Sequence, residues 1–195
     1  MQLLISARNL EDLRQSHLPV PSAWVRRFAP LIVGEGAVLD LACGAGRHAR
    51  FFADGGWRVT AVDRDAQALA GLRGHVGVEV VEADLEAGDW PLGARRFDGI
   101  VVANYLHRPL FPHLLTALAE GGVLIYETFM LGNERFGRPS SPDFLLRPGE
   151  LLEAFGSLQI VAFEQGEVAM PKPAVLQRLC AVRTRGAMPR LPESS

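Results

Sequence analysis

The chain has 195 residues, 48% hydrophobic and 22% charged, which is enough for one packed domain and excludes a disordered or fibrous chain. Its 20 basic and 22 acidic residues leave a net charge of -2, so no overall field draws it to nucleic acid or to an anionic membrane. Cys43 and Cys180 are too few for a disulfide framework and lack metal-ligand spacing. No run approaches the roughly 18 apolar residues of a membrane helix, and Met1–His17 lacks a secretory signal. A cytoplasmic protein with no bound metal is expected.

In chain order, Asn9–Ser16 and Ser22–Leu31 carry helical spacing, the second with Trp24, Val25 and Phe28 on one face. Residues 1–33 are expected to cover one end of a sheet. Val38–Cys43, Arg58–Asp63, Val78–Asp84, Phe97–Asn104 and Val123–Phe129 are candidate strands rich in Val, Leu and Ile, as in a buried parallel sheet. Helical segments Arg47–Asp54, Ala66–Leu72 and Leu110–Ala119 fall between them, the last ending at Gly121-Gly122, whereas Leu85–Arg96 reads as a loop. Gly149–Phe155 is a short helix, and Leu158–Glu164 and Val175–Arg183 form an antiparallel hairpin through Met170–Pro173. The fold class predicted is α/β, a three-layer sandwich with a mostly parallel seven-stranded sheet. Residues 34–185 form its core, 130–147 an insertion and 186–195 a tail, all in one domain.

In an open parallel sheet, ligands collect beyond the carboxyl ends of the strands. The first strand ends in Asp40-Leu41-Ala42-Cys43-Gly44-Ala45-Gly46-Arg47-His48, a glycine turn leading into a helix. The glycines allow close backbone approach, but the run alone also fits nucleotide binders and plain turns. A carboxylate before the glycines disfavours pyrophosphate and suits a cationic ligand, so Asp40 is informative. Asp63 ends the second strand, about 20 residues past the glycines, where an acid accepts from a ribose diol. Asp84 ends the third, placed to meet an exocyclic amino group. The three acids are expected to line one crevice that takes a positively charged nucleoside.

Val38–Ala53, Asp63, Asp84 and Phe97–Asn104 together resemble the class I S-adenosylmethionine-dependent methyltransferases over roughly Gly34 to Glu127. The resemblance implies a Rossmann-like fold and S-adenosyl-L-methionine as cofactor. Its contacts would fall on Asp40, Ala42, Gly44, Gly46, Asp63, Arg64, Asp84, Leu85 and Asn104. Gly44 and Gly46 would underlie the methionine part, Asp63 would hold the ribose, and Asp84 with the Leu85 backbone would recognise adenine. Asp40 would order the loop and face the ammonium group. Within the superfamily, the Gly-Arg-His helix start and Gly149-Glu150-Leu151 look most like the tellurite-resistance methyltransferase group. That group carries a His-Arg pair in the final hairpin region, where this chain has Ala169-Met170-Pro171-Lys172.

On the acceptor side, Asn104, Tyr105 and His107 follow the fourth strand and are the candidate catalytic residues. His107 is a general base or orienting donor, or else a structural cap on the following helix. Tyr105 walls the methyl-donor pocket or packs the sheet end, and Cys43 is read as a packing residue. Glu127 ends the fifth strand. Leu131–Arg147 is a lid, with Phe136 and Phe144 as anchors and Arg135, Arg138 and Arg147 as an anion-binding patch, or a solvated loop held by those two phenylalanines. His48 is expected to face outward or cap the first crossover helix. The run after the fourth strand is not the Asn/Asp-Pro-Pro-aromatic sequence of adenine or glutamine amino-methylating enzymes, and no Pro-Cys nucleophile occurs. A small-molecule methyl acceptor is therefore expected over nucleic acid, in a monomer or homodimer; the alternatives are the same cofactor chemistry on RNA or protein and a non-catalytic S-adenosylmethionine-binding module.

Overall fold

The computed structural model describes residues 20–184, 186 and 189–192. The first predicted helix, Asn9–Ser16, lies outside them. Helix α1 (Ala23–Phe28) starts where the Ser22 hydroxyl accepts the N–H groups of Trp24 and Val25, and it continues into a 3-10 turn, Ala29–Leu31. Strand β1 (Ala37–Leu41), helix α2 (Arg47–Asp54), strand β2 (Arg58–Asp63), helix α3 (Ala66–Ala70) and strand β3 (Val78–Glu82) form two successive crossover units. The chain then runs through a helix-free loop to β4 (Phe97–Ala103), helix α4 (Phe111–Ala117) and β5 (Leu118–Phe129). Helix α5 (Glu150–Ala154) and the hairpin β6 (Gln159–Val168) and β7 (Ala174–Val182) complete it.

The seven-stranded sheet has the order β3-β2-β1-β4-β5-β7-β6. Strands β1 to β5 pair in parallel, and β7 pairs antiparallel with both β5 and β6. This is the predicted α/β architecture. Both faces of the sheet are buried, because alternate residues of each strand feed opposite apolar layers. Leu39, Leu41, Ile100 and Tyr126 pack with Leu114 and Phe155 on one side. Val38, Val101 and Ile125 pack with Trp24, Phe28 and Phe52 on the other.

Two expectations change. The helix predicted as Leu110–Ala119 is only α4, and Leu118 already pairs with Phe97 as part of β5. The reason lies far along the chain, in Arg183 just after β7. Its guanidinium donates to the carbonyls of Leu115 (2.6 Å) and Leu118 (3.1 Å), satisfying acceptors that a longer helix would have used.

His48 is the second change. It is 2% exposed, and its Nε2 accepts the Ser22 N–H at 3.2 Å, tying α1 to α2. Burial, helped by the Arg47 charge, pushes its pKa down to about 3, so the ring is neutral with its proton on Nδ1. Cys43 and Cys180 are both buried free thiols. Burial raises the pKa of each, that of Cys180 to about 12, which suits packing and not nucleophilic chemistry.

Candidate active site

The strand order reverses between β1 and β4, and a cleft of about 310 Å³ opens beyond the strand ends there. Ala42 after β1, Asp63 at the end of β2 and Arg64 after it, and Ala83, Asp84, Leu85 and Glu86 after β3 form one side. Asn104, Tyr105 and Leu106 after β4 and Thr128 from β5 form the other, with Pro139 and Phe144 from the insertion.

The turn after β1 is built from left-handed backbone, with φ of 54° at Ala42, 54° at Gly44 and 77° at Gly46. Gly46 has no substitute, since a Cβ there would collide with the Leu72 side chain. At Gly44 a Cβ would stand in open space, so there the left-handed backbone and not the packing favours glycine. The loop is held by Asp63, whose Oδ2 accepts the Gly44 N–H at 2.7 Å while Oδ1 accepts the Asp65 N–H at 3.0 Å. Each carboxylate oxygen keeps a lone pair for a further donor. Asp84 Oδ1 accepts the Glu86 N–H at 2.9 Å, and its Oδ2 lies 3.8 Å from the exposed Arg64 guanidinium.

Asp40 departs from expectation. It is 1% exposed, is absent from the cleft wall, and accepts the Ala49 N–H in the first turn of α2. Asp63 orders the loop instead, through the Gly44 and Asp65 N–H groups. The cause is strand alternation: Leu39 and Leu41 face one layer, so Asp40 faces the other. Burial, only partly offset by the Ala49 N–H and the Arg47 charge, pushes its pKa up to about 7, and its Oδ2 has no hydrogen-bond partner. Glu86, which sequence reasoning missed, takes the third acidic place in the cleft. Its position two residues past Asp84, on the same turn, was the available signal.

Glu127 also lies on the layer facing α1. It is buried, 3.3 Å from Arg178, and the next residue, Thr128, reaches the cleft in its place. Asn104 has a φ of 58° and donates its N–H to the Glu127 carbonyl at 2.9 Å, which turns the chain across the cleft. The Tyr105 carbonyl accepts the Tyr126 hydroxyl at 2.9 Å. Burial and the Glu86 and Asp84 charges raise the Tyr105 phenol pKa, leaving it a hydrogen-bond donor and not a base at neutral pH. His107 is partly buried and lines no part of the cleft, and its side chain caps no helix.

The insertion does reach the cleft, through Pro139 and Phe144, but its arginines do not converge there. Arg135 pairs with Glu167 at 3.1 Å, and Arg147 pairs with Glu153 at 3.3 Å and Glu150 at 3.5 Å. Arg138 is exposed. The expected anion-binding patch is thus divided among separate partners. Among the described residues, no group of three His, Cys, Asp or Glu side chains is placed to hold a metal ion, and no helix is long and apolar enough to cross a membrane.

This strand order, with a glycine turn after β1 and acids ending β2 and following β3, defines the class I methyltransferase fold. Residues 38–122 match the family model of the methyltransferase domain. Within the class, the fold is similar to that of TehB from Haemophilus influenzae, at a TM-score of 0.75 over 87% of this chain and 65% of that one, with 17% identity. A TehB-like methyltransferase from Corynebacterium glutamicum gives 0.62 over 91% of this chain and 95% of that one, at 18% identity. The chain is also similar to a malonyl-[acyl-carrier protein] O-methyltransferase from Enterobacter lignolyticus, at 34% identity over 62% of this chain and 45% of that protein. A protein-L-isoaspartate O-methyltransferase from Chlorobaculum tepidum is 34% identical over 53% of this chain and 49% of its own length. The chain thus spans about half the length of these curated relatives.

Proposed function

We propose that the protein is an S-adenosyl-L-methionine-dependent methyltransferase acting on a small-molecule acceptor. The observation that carries this reading is the cleft itself, in which Asp63, Asp84 and Glu86 line the strand ends beside Ala42 of the glycine turn. Against these three carboxylates the wall sets one guanidinium, Arg64, so the cleft favours a cationic nucleoside over a pyrophosphate.

In this reading Asp63 accepts from the ribose hydroxyls, and Asp84 with the Leu85 N–H recognises adenine. Ala42, Gly44 and Gly46 pass under the methionine part, while Arg64 and Asn104 border it. The bound cofactor supplies an activated methyl group for in-line transfer. The chain contributes alignment and exclusion of water: Tyr105 and Thr128 face the acceptor, and Phe144 and Pro139 cover it. His107 stands outside this wall and is not required as a base. The covered cleft and the dispersed arginines favour a small acceptor over a macromolecule.

Isothermal titration with S-adenosylhomocysteine tests the cofactor assignment. The protein should bind it in the micromolar range, and Asp63→Ala and Asp84→Ala should each weaken binding by about tenfold or more, the loss of a charge-assisted hydrogen bond. Unchanged affinity in both variants would sink the assignment. An acceptor screen that detects S-adenosylhomocysteine release then tests the activity, with His107→Ala expected to keep turnover within about threefold, less than removal of a general base costs.

A further inference from the structure

Arg108 forms no part of the cleft wall, yet all three nitrogens of its guanidinium donate hydrogen bonds. Nε donates to Glu150 Oε1 at 2.6 Å, and Nη2 donates to Glu150 Oε2 at 3.0 Å and to the Leu145 carbonyl at 2.9 Å. Nη1 donates to the Asp143 carbonyl at 2.8 Å. The two carbonyls flank Phe144, which lines the cleft although the residue is 50% exposed. A side chain so exposed is not fixed by burial, which leaves the flanking backbone to fix it.

The anchor on the other side is rigid. Glu150 is buried, and its Oε2 also accepts the Arg147 N–H at 2.7 Å. The next residue, Leu151, donates its N–H to Gln177 Oε1 at 2.7 Å, and Gln177 Nε2 donates to the Arg147 carbonyl at 3.1 Å. Arg108 therefore joins the turn after β4 to the insertion, and both to α5 and β7. The planar fork matters, because a carboxylate and two carbonyls are held at once, whereas a lysine would offer one point charge.

We propose that Arg108 is a positioning residue that seats Phe144 against the cleft, so that the insertion and the turn after β4 hold the ligand as one unit. The proposal rests on the methyltransferase reading of that cleft. Arg108→Lys keeps a cation beside Glu150 and is the variant of choice. It should weaken S-adenosylhomocysteine binding by about tenfold, as Phe144→Ala should, since small misplacements in such a site carry costs of that order. The double variant Arg108→Lys/Phe144→Ala should bind within about twofold of Phe144→Ala alone, because the arginine acts through the ring. Independent, multiplying losses would show a general structural role and overturn the proposal, as would unchanged affinity in Arg108→Lys.

Hydrogen exchange of the ligand-free protein gives a second readout. Amides of residues 141–147 should exchange faster in Arg108→Lys while those of β4 stay unchanged, and equal exchange in both proteins would overturn the proposal. If the parent protein binds no S-adenosylhomocysteine, the cofactor reading falls, and the exchange experiment still decides the role of Arg108.

Discussion

Asp40 and His48 are both buried, one under the glycine turn and one between the first two helices, and each resists its charged form. The signs are opposite. The folded-state pKa of Asp40 is raised from 3.8 to about 7, so its contribution is complete below the unfolded value and is lost as pH rises toward 7. That of His48 is lowered from 6.5 to about 3, so its contribution is complete above 6.5 and is lost as pH falls toward 3. From about pH 4 to 6.5 the two slopes oppose each other, each limited to about 1.4 kcal/mol per pH unit for one proton. Urea unfolding of Asp40→Asn at pH 4.5, 5.5 and 6.5 should therefore show stability rising with pH, where the parent protein stays nearly flat. Parallel curves for the two proteins would contradict the assignment. Asp63 and Asp84 are legible in the sequence because a strand end presents its acid to the crevice whichever way the neighbouring residues point. Asp40 and Glu127 are not, because alternation sends their carboxylates to the opposite layer, and that choice depends on which face the helices cover. The burial of His48 was foreshadowed by Phe52 at the i+4 position on the same helical face.

Among the elements, α4 shows how a distant residue sets a boundary that local pattern places elsewhere. The periodicity of Leu110–Ala119 continues past Ala117, but Arg183 claims the carbonyls of Leu115 and Leu118, and the Gly121 N–H donates to the Arg183 carbonyl at 2.7 Å. Arg183→Met keeps the aliphatic stem and removes the donors. It should cost about 1 to 3 kcal/mol, the usual range for a hydrogen bond to a charged group, measured by urea denaturation. Stability within about 0.5 kcal/mol of the parent, the range of an ordinary surface substitution, would show that water replaces the cap. The loop after β3 was legible through Gly88, Pro91 and Gly93, and it is pinned by the stacking of Trp90 on His113, with centroids 5.3 Å apart. The seating of Phe144 was not legible, since the Asp143 and Leu145 carbonyls that Arg108 holds carry no side-chain signature.

For the whole molecule, the cleft draws on the ends of five strands, so a ligand there bridges most of the sheet and should couple to global unfolding. S-adenosylhomocysteine at 100 times its dissociation constant should add about 2.7 kcal/mol. At roughly 2–4 °C per kcal/mol for a domain of this size, the melting temperature should rise by about 5 to 10 °C. A thermal shift assay should show that rise in the parent protein and little of it in Asp63→Ala, and no rise in the parent protein would contradict ligand binding at the cleft. The sheet order β5-β7-β6 has a further consequence, for the order in which the molecule is assembled. Among the described residues strand β6 pairs only with β7, and β7 fills an internal place between two strands made before it. A chain emerging from the ribosome thus has β1 to β5 ready to pair while β6 has no neighbour, and β5 presents a bare edge until residues 174–182 arrive. The native sheet closes from within, once its last strand has been made, so that folding to completion is a late event.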